Sequence, residues 1–376
     1  MTDWTHQIRT ITTTIAVVIT LSLGSWRTAG AQSLAATADS LFTSGFEGVI
    51  MSGDSTGRLV GLAHGRAQRT PLRPHRTDTV WPWASVTKQV TAVLVMMEVE
   101  RGTLTLESSI AELLPSFRGT GAAGMTVRQL LQHTTGLPNP NAGTPDDAMP
   151  PMYLRPTIAS RAIDEANRFC AGPAVRAPGE GFDYNNCDYI VLGAILEVRT
   201  GMTYATLLRT RIAEPLGLRS LRLADTRAAR QTRITGYLGT RPAPRANLAT
   251  YGAAGALIGT PDDLLRFDDA LMAGKLLRPA SLTVLWQGEP RIGYVALGAW
   301  SFTTRLAGCA APVALVERRG DIGGVQVRNL IAPARRQSLV VFTNDGTFDF
   351  GELWQGKGAG YALASGAFCS QAPARP

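Results

Sequence analysis

Lysine is nearly missing from this chain of 376 residues: of its 37 basic residues only Lys88, Lys275 and Lys357 are lysine, and the rest are arginine. Arginine cannot act as a base in a protein, whereas a desolvated lysine shifts its pKa readily. A lysine inside a motif therefore stands out. Metal ligands are sparse as well. There is no C-x-x-C, and His64, His75 and His133 are scattered without zinc spacing, so a metal enzyme is not expected. Past the N-terminus no stretch reaches the roughly 18 uninterrupted apolar residues a membrane helix needs, and no stable membrane insertion is expected. The arginines are dispersed, without a dense run or interleaved aromatics, so a formal charge of +8 does not point to nucleic acid. Internal repeats and low-complexity segments are also absent. The oligomeric state is open.

The first 31 residues read as a leader. Arg9 precedes a mostly apolar stretch from Ile15 to Leu23, and Ala29-Gly30-Ala31 then supplies small residues before Gln32. A signal peptide at 1–31, cleaved near Ala31, predicts a secreted or periplasmic protein, and no cysteine lies near the site to carry a lipid. The remaining length suits two subdomains better than one. Cys170, Cys187, Cys309 and Cys369 suit an oxidising compartment. Three pairings are open. Cys170–Cys187 with Cys309–Cys369 is the expected one, because each pair brackets one region of the chain.

Apolar runs at 48–51 and 58–62 flank Asp54-Ser55-Thr56-Gly57, which predicts an antiparallel hairpin. Residues 84–101 predict a helix, with Val86, Val90, Val93, Leu94 and Met97 at helical spacing; Val95, Met96 and Val99 make it apolar nearly all round, hence buried. The stretch 103–250 reads as helical with long loops at 138–151, 170–186 and 222–249. Thr260, Pro261, Asp262 and Asp263 mark a helix start. Strands are expected at 297–304, 312–319, 325–331 and 338–343, and a last helix at 351–367. The predicted fold is therefore α/β (α+β): a mainly antiparallel sheet built from both termini and flanked by helices, with an inserted, mostly helical part. The expected division is a sheet subdomain of 32–83 and 250–376 and a helical subdomain of 84–249.

Two constellations carry chemistry. Ser85-Val86-Thr87-Lys88 places a serine and a lysine three residues apart on one face at the start of the buried helix. An amine there is placed to take the serine's proton, and the free N–H groups of the helix start favour an oxyanion. A bare S-x-x-K is a weak signal, so the segments that follow decide. In Pro178-Gly179-Glu180-Gly181-Phe182-Asp183-Tyr184-Asn185-Asn186, Tyr184 and Asn186 lie just before another helix. Beside a lysine ammonium a tyrosine's pKa falls, so Tyr184 is a candidate general base, while Asn186 is placed to hold Lys88 and donate to a substrate carbonyl.

These segments occur in order with Leu130-Leu131-Gln132-His133-Thr134-Thr135-Gly136-Leu137-Pro138, Glu214-Pro215-Leu216-Gly217-Leu218 and Ala254-Gly255-Ala256-Leu257. From about residue 45 to 367 the chain thereby resembles the penicillin-recognising serine hydrolases, in the branch of class C β-lactamases, D-alanyl-D-alanine carboxypeptidases and related esterases. The resemblance implies a β-lactamase/transpeptidase-like fold with Ser85 as nucleophile, Lys88 and Tyr184 as the proton-transfer pair and Asn186 as the positioning amide. Which of the pair takes the proton first stays open. The family's third motif, Lys or His then any residue then Gly, falls on Arg318-Arg319-Gly320. Arg318 keeps the positive charge, for a substrate carboxylate or for polarising the site, but cannot exchange a proton. The backbone N–H of Asp321 would join that of Ser85 in an oxyanion hole, where an acidic side chain is unhelpful unless it points away or pairs with Arg318 or Arg319. His133 is expected in a structural turn, not as a triad base. The implied protein is a serine hydrolase working through an acyl-enzyme, on small esters or D-amino-acid peptides in preference to β-lactams. The competing expectation is a non-catalytic binder of envelope peptides or β-lactams that keeps the fold.

Overall fold

The computed structural model describes residues 32–370 apart from 55, 56, 58, 140–160, 226–231 and 233. The expected leader, most of the loop at 138–151 and part of that at 222–249 lie outside the described residues.

The main sheet is six-stranded and antiparallel throughout. Its strands are β1 (Gly48–Asp54), β2 (Leu59–His64), β3 (Trp300–Thr304), β4 (Val313–Ile322), β5 (Val325–Ala332) and β6 (Gln337–Thr343), in the order β3-β4-β5-β6-β1-β2. The two chain ends meet in the middle of the sheet, where β1 pairs with β6 from Gly48–Thr343 to Asp54–Gln337. The principal helices are α1 (Leu34–Thr43), α2 (Thr87–Glu100), α3 (Val127–Gln132), α4 (Asn186–Thr200), α5 (Pro261–Met272) and α6 (Ala359–Cys369). This is the expected fold class, a mainly antiparallel sheet from both termini with a mostly helical stretch between.

Side-chain alternation lets each central strand serve two cores. Ile50, Leu339 and Val341 pack with α1 and α6 on one face. Val49, Met51, Val340 and Phe342 pack on the other with α2, α4 and α5. Every residue of α2 from Thr87 to Glu98 is buried, which matches its all-round apolar pattern. Thr260 caps α5 through the Asp263 N–H, with Pro261 at the first position. Both expected disulfides are present, Cys170–Cys187 and Cys309–Cys369. The first ties the helix Ala162–Phe169 to the start of α4 and so steadies the segment that carries Tyr184 and Asn186.

Several boundaries differ from expectation, and the strand expected from 297 begins at Trp300. The helix expected from 84 begins with a 3-10 turn, Ala84–Val86, before α2 proper. The last helix starts at Ala359, because Gly351, Gly356 and Gly358 all adopt positive φ. Strand β4 runs on to Ile322, where Gly323 and Gly324, both at positive φ, close a two-residue hairpin. The letters G-x-S-x-G do occur once, at 53–57, but they join two paired antiparallel strands. The nucleophile turn of that motif runs from strand to helix.

Candidate active site

Within the buried run Trp81–Val90, Ser85 is the one residue left half-exposed. The turn that presents it is strained: Ala84 sits at φ 47, a left-handed conformation that costs a residue with a Cβ about 1–3 kcal/mol. The strain turns the chain sharply from the strand Trp81–Pro82 into α2 and brings Ser85 to the edge of β4.

Lys88 lies one turn further along the same face and is fully buried. Its Nζ is 3.2 Å from Ser85 Oγ, 2.6 Å from Asn186 Oδ1 and 2.8 Å from the carbonyl oxygen of Ala254. Tyr184 OH is 2.6 Å from the same Ser85 Oγ. Burial lowers Lys88 to about 8, with the Arg318 charge acting in the same direction and Tyr184 against it. Burial alone would raise Tyr184, but the charges of Lys88 and Arg318 and its hydrogen bonds outweigh it and bring the phenol down to about 8. Two groups that both titrate near neutrality thus converge on one hydroxyl, and their protons belong to the pair.

The expected residues Ser85, Lys88, Tyr184 and Asn186 are therefore brought together, from two segments 98 residues apart at Lys88 and Asn186. Arg318 joins them, but not as a group reaching for a ligand. It is 2% exposed, its Nε donates to the carbonyl of Ser85 at 2.8 Å, and an Nη donates to Tyr184 OH at 3.0 Å. Of the two roles its charge left open, the geometry fits polarising the site.

Gly320 permits the close approach of β4 to the serine turn. A Cβ there would lie 2.6 Å from the Trp83 carbonyl oxygen and 3.1 Å from Ser85 N. Gly320→Ala is therefore expected to push the strand edge off the turn and lower kcat/KM by about 10²-fold, the penalty of an ångström-scale displacement. Steady-state kinetics with a melting curve on the same sample checks this, and unchanged kinetics would contradict the close approach.

The hairpin closure also settles how Asp321 lies. Ile322–Val325 and Gly320–Val327 are the hydrogen-bonded pairs of β4 and β5, so Asp321, opposite Gln326, turns its N–H away from β5. Strand β3 covers β4 only from Val313 to Glu317, which leaves that N–H on the open edge next to Ser85. The Asp321 side chain alternates onto the face opposite Arg318 and Gly320. It makes no ion pair with Arg318 or Arg319 among the described residues. Arg319 is held instead by Glu317 and Glu352, each at 2.7 Å. The acidic group points away, and the conflict with an oxyanion does not arise.

His133 caps α3 in a left-handed conformation and is buried, as expected of a turn residue. It does not reach Ser85. Its ring lies against Tyr184, 4.7 Å between centroids, and its Nδ1 is 2.9 Å from Asp188 Oδ2. Thr135 donates to the other oxygen of Asp188. Burial raises Asp188 well above the carboxylate range and drives His133 well below its usual value, helped by the Arg318 and Lys88 charges. Burial thus disfavours charge on both members of the pair behind Tyr184. Sequence reasoning missed Asp188, Thr135, the Ala254 carbonyl and Trp300, whose ring lies 5.3 Å from the Arg318 guanidinium carbon. The signal for Asp188 was present, two residues beyond Asn186, but an acid in the first turn of a helix already has a local explanation.

The profile of the beta-lactamase family matches residues 34–356. Relatives include esterase EstB of Burkholderia gladioli, 36% identical over 171 residues, or 43% of this chain and 43% of that protein. Penicillin-binding protein 4 of Amycolatopsis lactamdurans is 32% identical over 225 residues, 56% of this chain and 55% of that protein. The chain thus spans about half the length of these relatives. Among solved structures, the D-amino acid amidase of Ochrobactrum anthropi SV3 complexed with D-phenylalanine matches with a TM-score of 0.71 at 24% identity, over 88% of this chain and 96% of that one. That last likeness is one of fold. The chain belongs to the beta-lactamase family.

Proposed function

We propose that this protein is an exported serine hydrolase that cleaves a small ester or a D-amino-acid peptide through an acyl-enzyme. The observation that carries the reading is the convergence of Lys88 Nζ and Tyr184 OH on Ser85 Oγ, beside a strand edge with an outward N–H. As Ser85 Oγ bonds to the substrate carbonyl carbon, its proton passes to the Lys88–Tyr184 pair. The N–H groups of Ser85 and Asp321 hold the oxygen that becomes negative. When the tetrahedral species collapses, the same pair returns the proton to the leaving oxygen or nitrogen. Water then attacks the acyl-serine, Tyr184 takes its proton, and the acid leaves as Ser85 regains its hydrogen. Asn186 keeps Lys88 in place and presents its amide N–H to the substrate carbonyl side. No step needs a metal or a cofactor. The name of the esterase relative supports the ester half of this substrate range. Export is part of the proposal, and two disulfides suit an oxidising compartment.

Mixing the protein with a p-nitrophenyl ester, quenching in acid within the first turnover and mapping the digest is the test. One acyl group on the peptide that holds Ser85 is the expected result. An unlabelled Ser85 peptide with no turnover would favour a binder that has kept the fold.

A further inference from the structure

Two cations, Lys88 and Arg318, stand at this site among the described residues, Arg319 lies on the other face of β4, and each of the three is already engaged. Lys88 points its three donors at Ser85, Asn186 and the Ala254 carbonyl. Arg319 uses all three nitrogens on the carboxylates of Glu317 and Glu352. Arg318 is turned inward, with two nitrogens on Ser85 O and Tyr184 OH. The rings of Tyr184 and Trp300 each lie 5.3 Å from its guanidinium carbon. Trp300 also packs edge-on against half-buried Phe182, centroids 6.2 Å apart. The wall beside Tyr184 is thus aromatic where a carboxylate-reading site needs a free charged fork.

Resting on the acyl-enzyme reading above and narrowing it to its ester arm, we propose that the site selects substrates whose leaving group is apolar or aromatic, seated against Trp300 and Phe182, and discriminates against a carboxylate on that group. An ionised carboxylate placed there gives up its water without gaining a bidentate partner. A neutral ring gains stacking area.

The test uses two esters that differ only in that charge, 3-(phenylacetoxy)benzoate and its methyl ester, with each kcat/KM divided by the hydroxide-catalysed rate of the same ester. The methyl ester is expected to be favoured by about tenfold or more, the size of a lost polar partner. Arg318→Met is expected to slow both esters alike and leave the ratio where it was. A carboxylate ester that reacts as well or better, with a preference erased in Arg318→Met, would overturn the selectivity and leave the hydrolase standing. Should that variant fail to fold, the wild-type ratio decides by itself. Absence of an acyl burst with either ester would sink both this inference and the acyl-enzyme.

Discussion

Ser85→Ala is expected to remove the first-turnover burst with a p-nitrophenyl ester and to slow steady turnover by about 10⁴-fold or more, the scale seen when a serine nucleophile is deleted. The parent should release about one equivalent of nitrophenol per protein before the steady rate. The argument lies in how little else the substitution touches. Ser85 Oγ is half-exposed and accepts from Lys88 and Tyr184, and both keep other partners when it is gone. Lys88 retains Asn186 and the Ala254 carbonyl, and Tyr184 retains Arg318. Alanine adopts the same turn, so the melting temperature should move by no more than a few degrees, as for surface substitutions worth about 0.5 kcal/mol. The two outward N–H groups survive, which leaves a residual rate over water alone. A variant that keeps a tenth of the parent rate would assign the chemistry to some other group.

The sheet and its two-sided core were legible because strand alternation is a local property: Val49 and Ile50 go to different cores for the same reason that Val340 and Val341 do. The partners of Ser85 were legible as residue types at a spacing, three along a helix for Lys88. The bond between Lys88 and Asn186 spans 98 residues and became visible only through the fold. Arg318 shows where such reading stops. Alternation assigns its side chain to a face, yet both a substrate carboxylate and Tyr184 lay within reach of that face. Packing against Trp300 and the Ser85 carbonyl decides the matter, and neither is written in the local sequence. Asp321 is the opposite case. Its awkward side chain turns harmless once the two-residue closure at Gly323-Gly324 fixes which pairs hydrogen-bond. Asp188 stayed hidden because its partner, His133, lies 55 residues earlier, and each had a sufficient local role.

Lys88→Met is expected to lower kcat/KM by about 10³-fold, within the range for losing a positioned acid–base group. The thioether fills much of the buried space but leaves Asn186 Oδ1 and the Ala254 carbonyl without their donor, a loss of about 1–3 kcal/mol each, so melting must be followed beside activity. The pH profile separates chemistry from stability. In the parent the productive form has lost one proton from the Lys88–Tyr184 pair and kept the other. Activity therefore rises with pH as the pair, each member near about 8, gives up its first proton, and falls again when the second leaves. Arg318 acts on both members in the same sense: its charge disfavours the Lys88 ammonium and favours the Tyr184 phenolate, lowering each. Arg318→Met must then shift the rising limb to higher pH, by about one unit for a charge at this range. At pH 7 the variant should look severely impaired, and at pH 9 it should recover part of the difference. A limb that stays put, or moves toward acid, would mean that Arg318 does not set the proton affinity of the pair and that its inward contacts serve only to hold β4 against the serine turn.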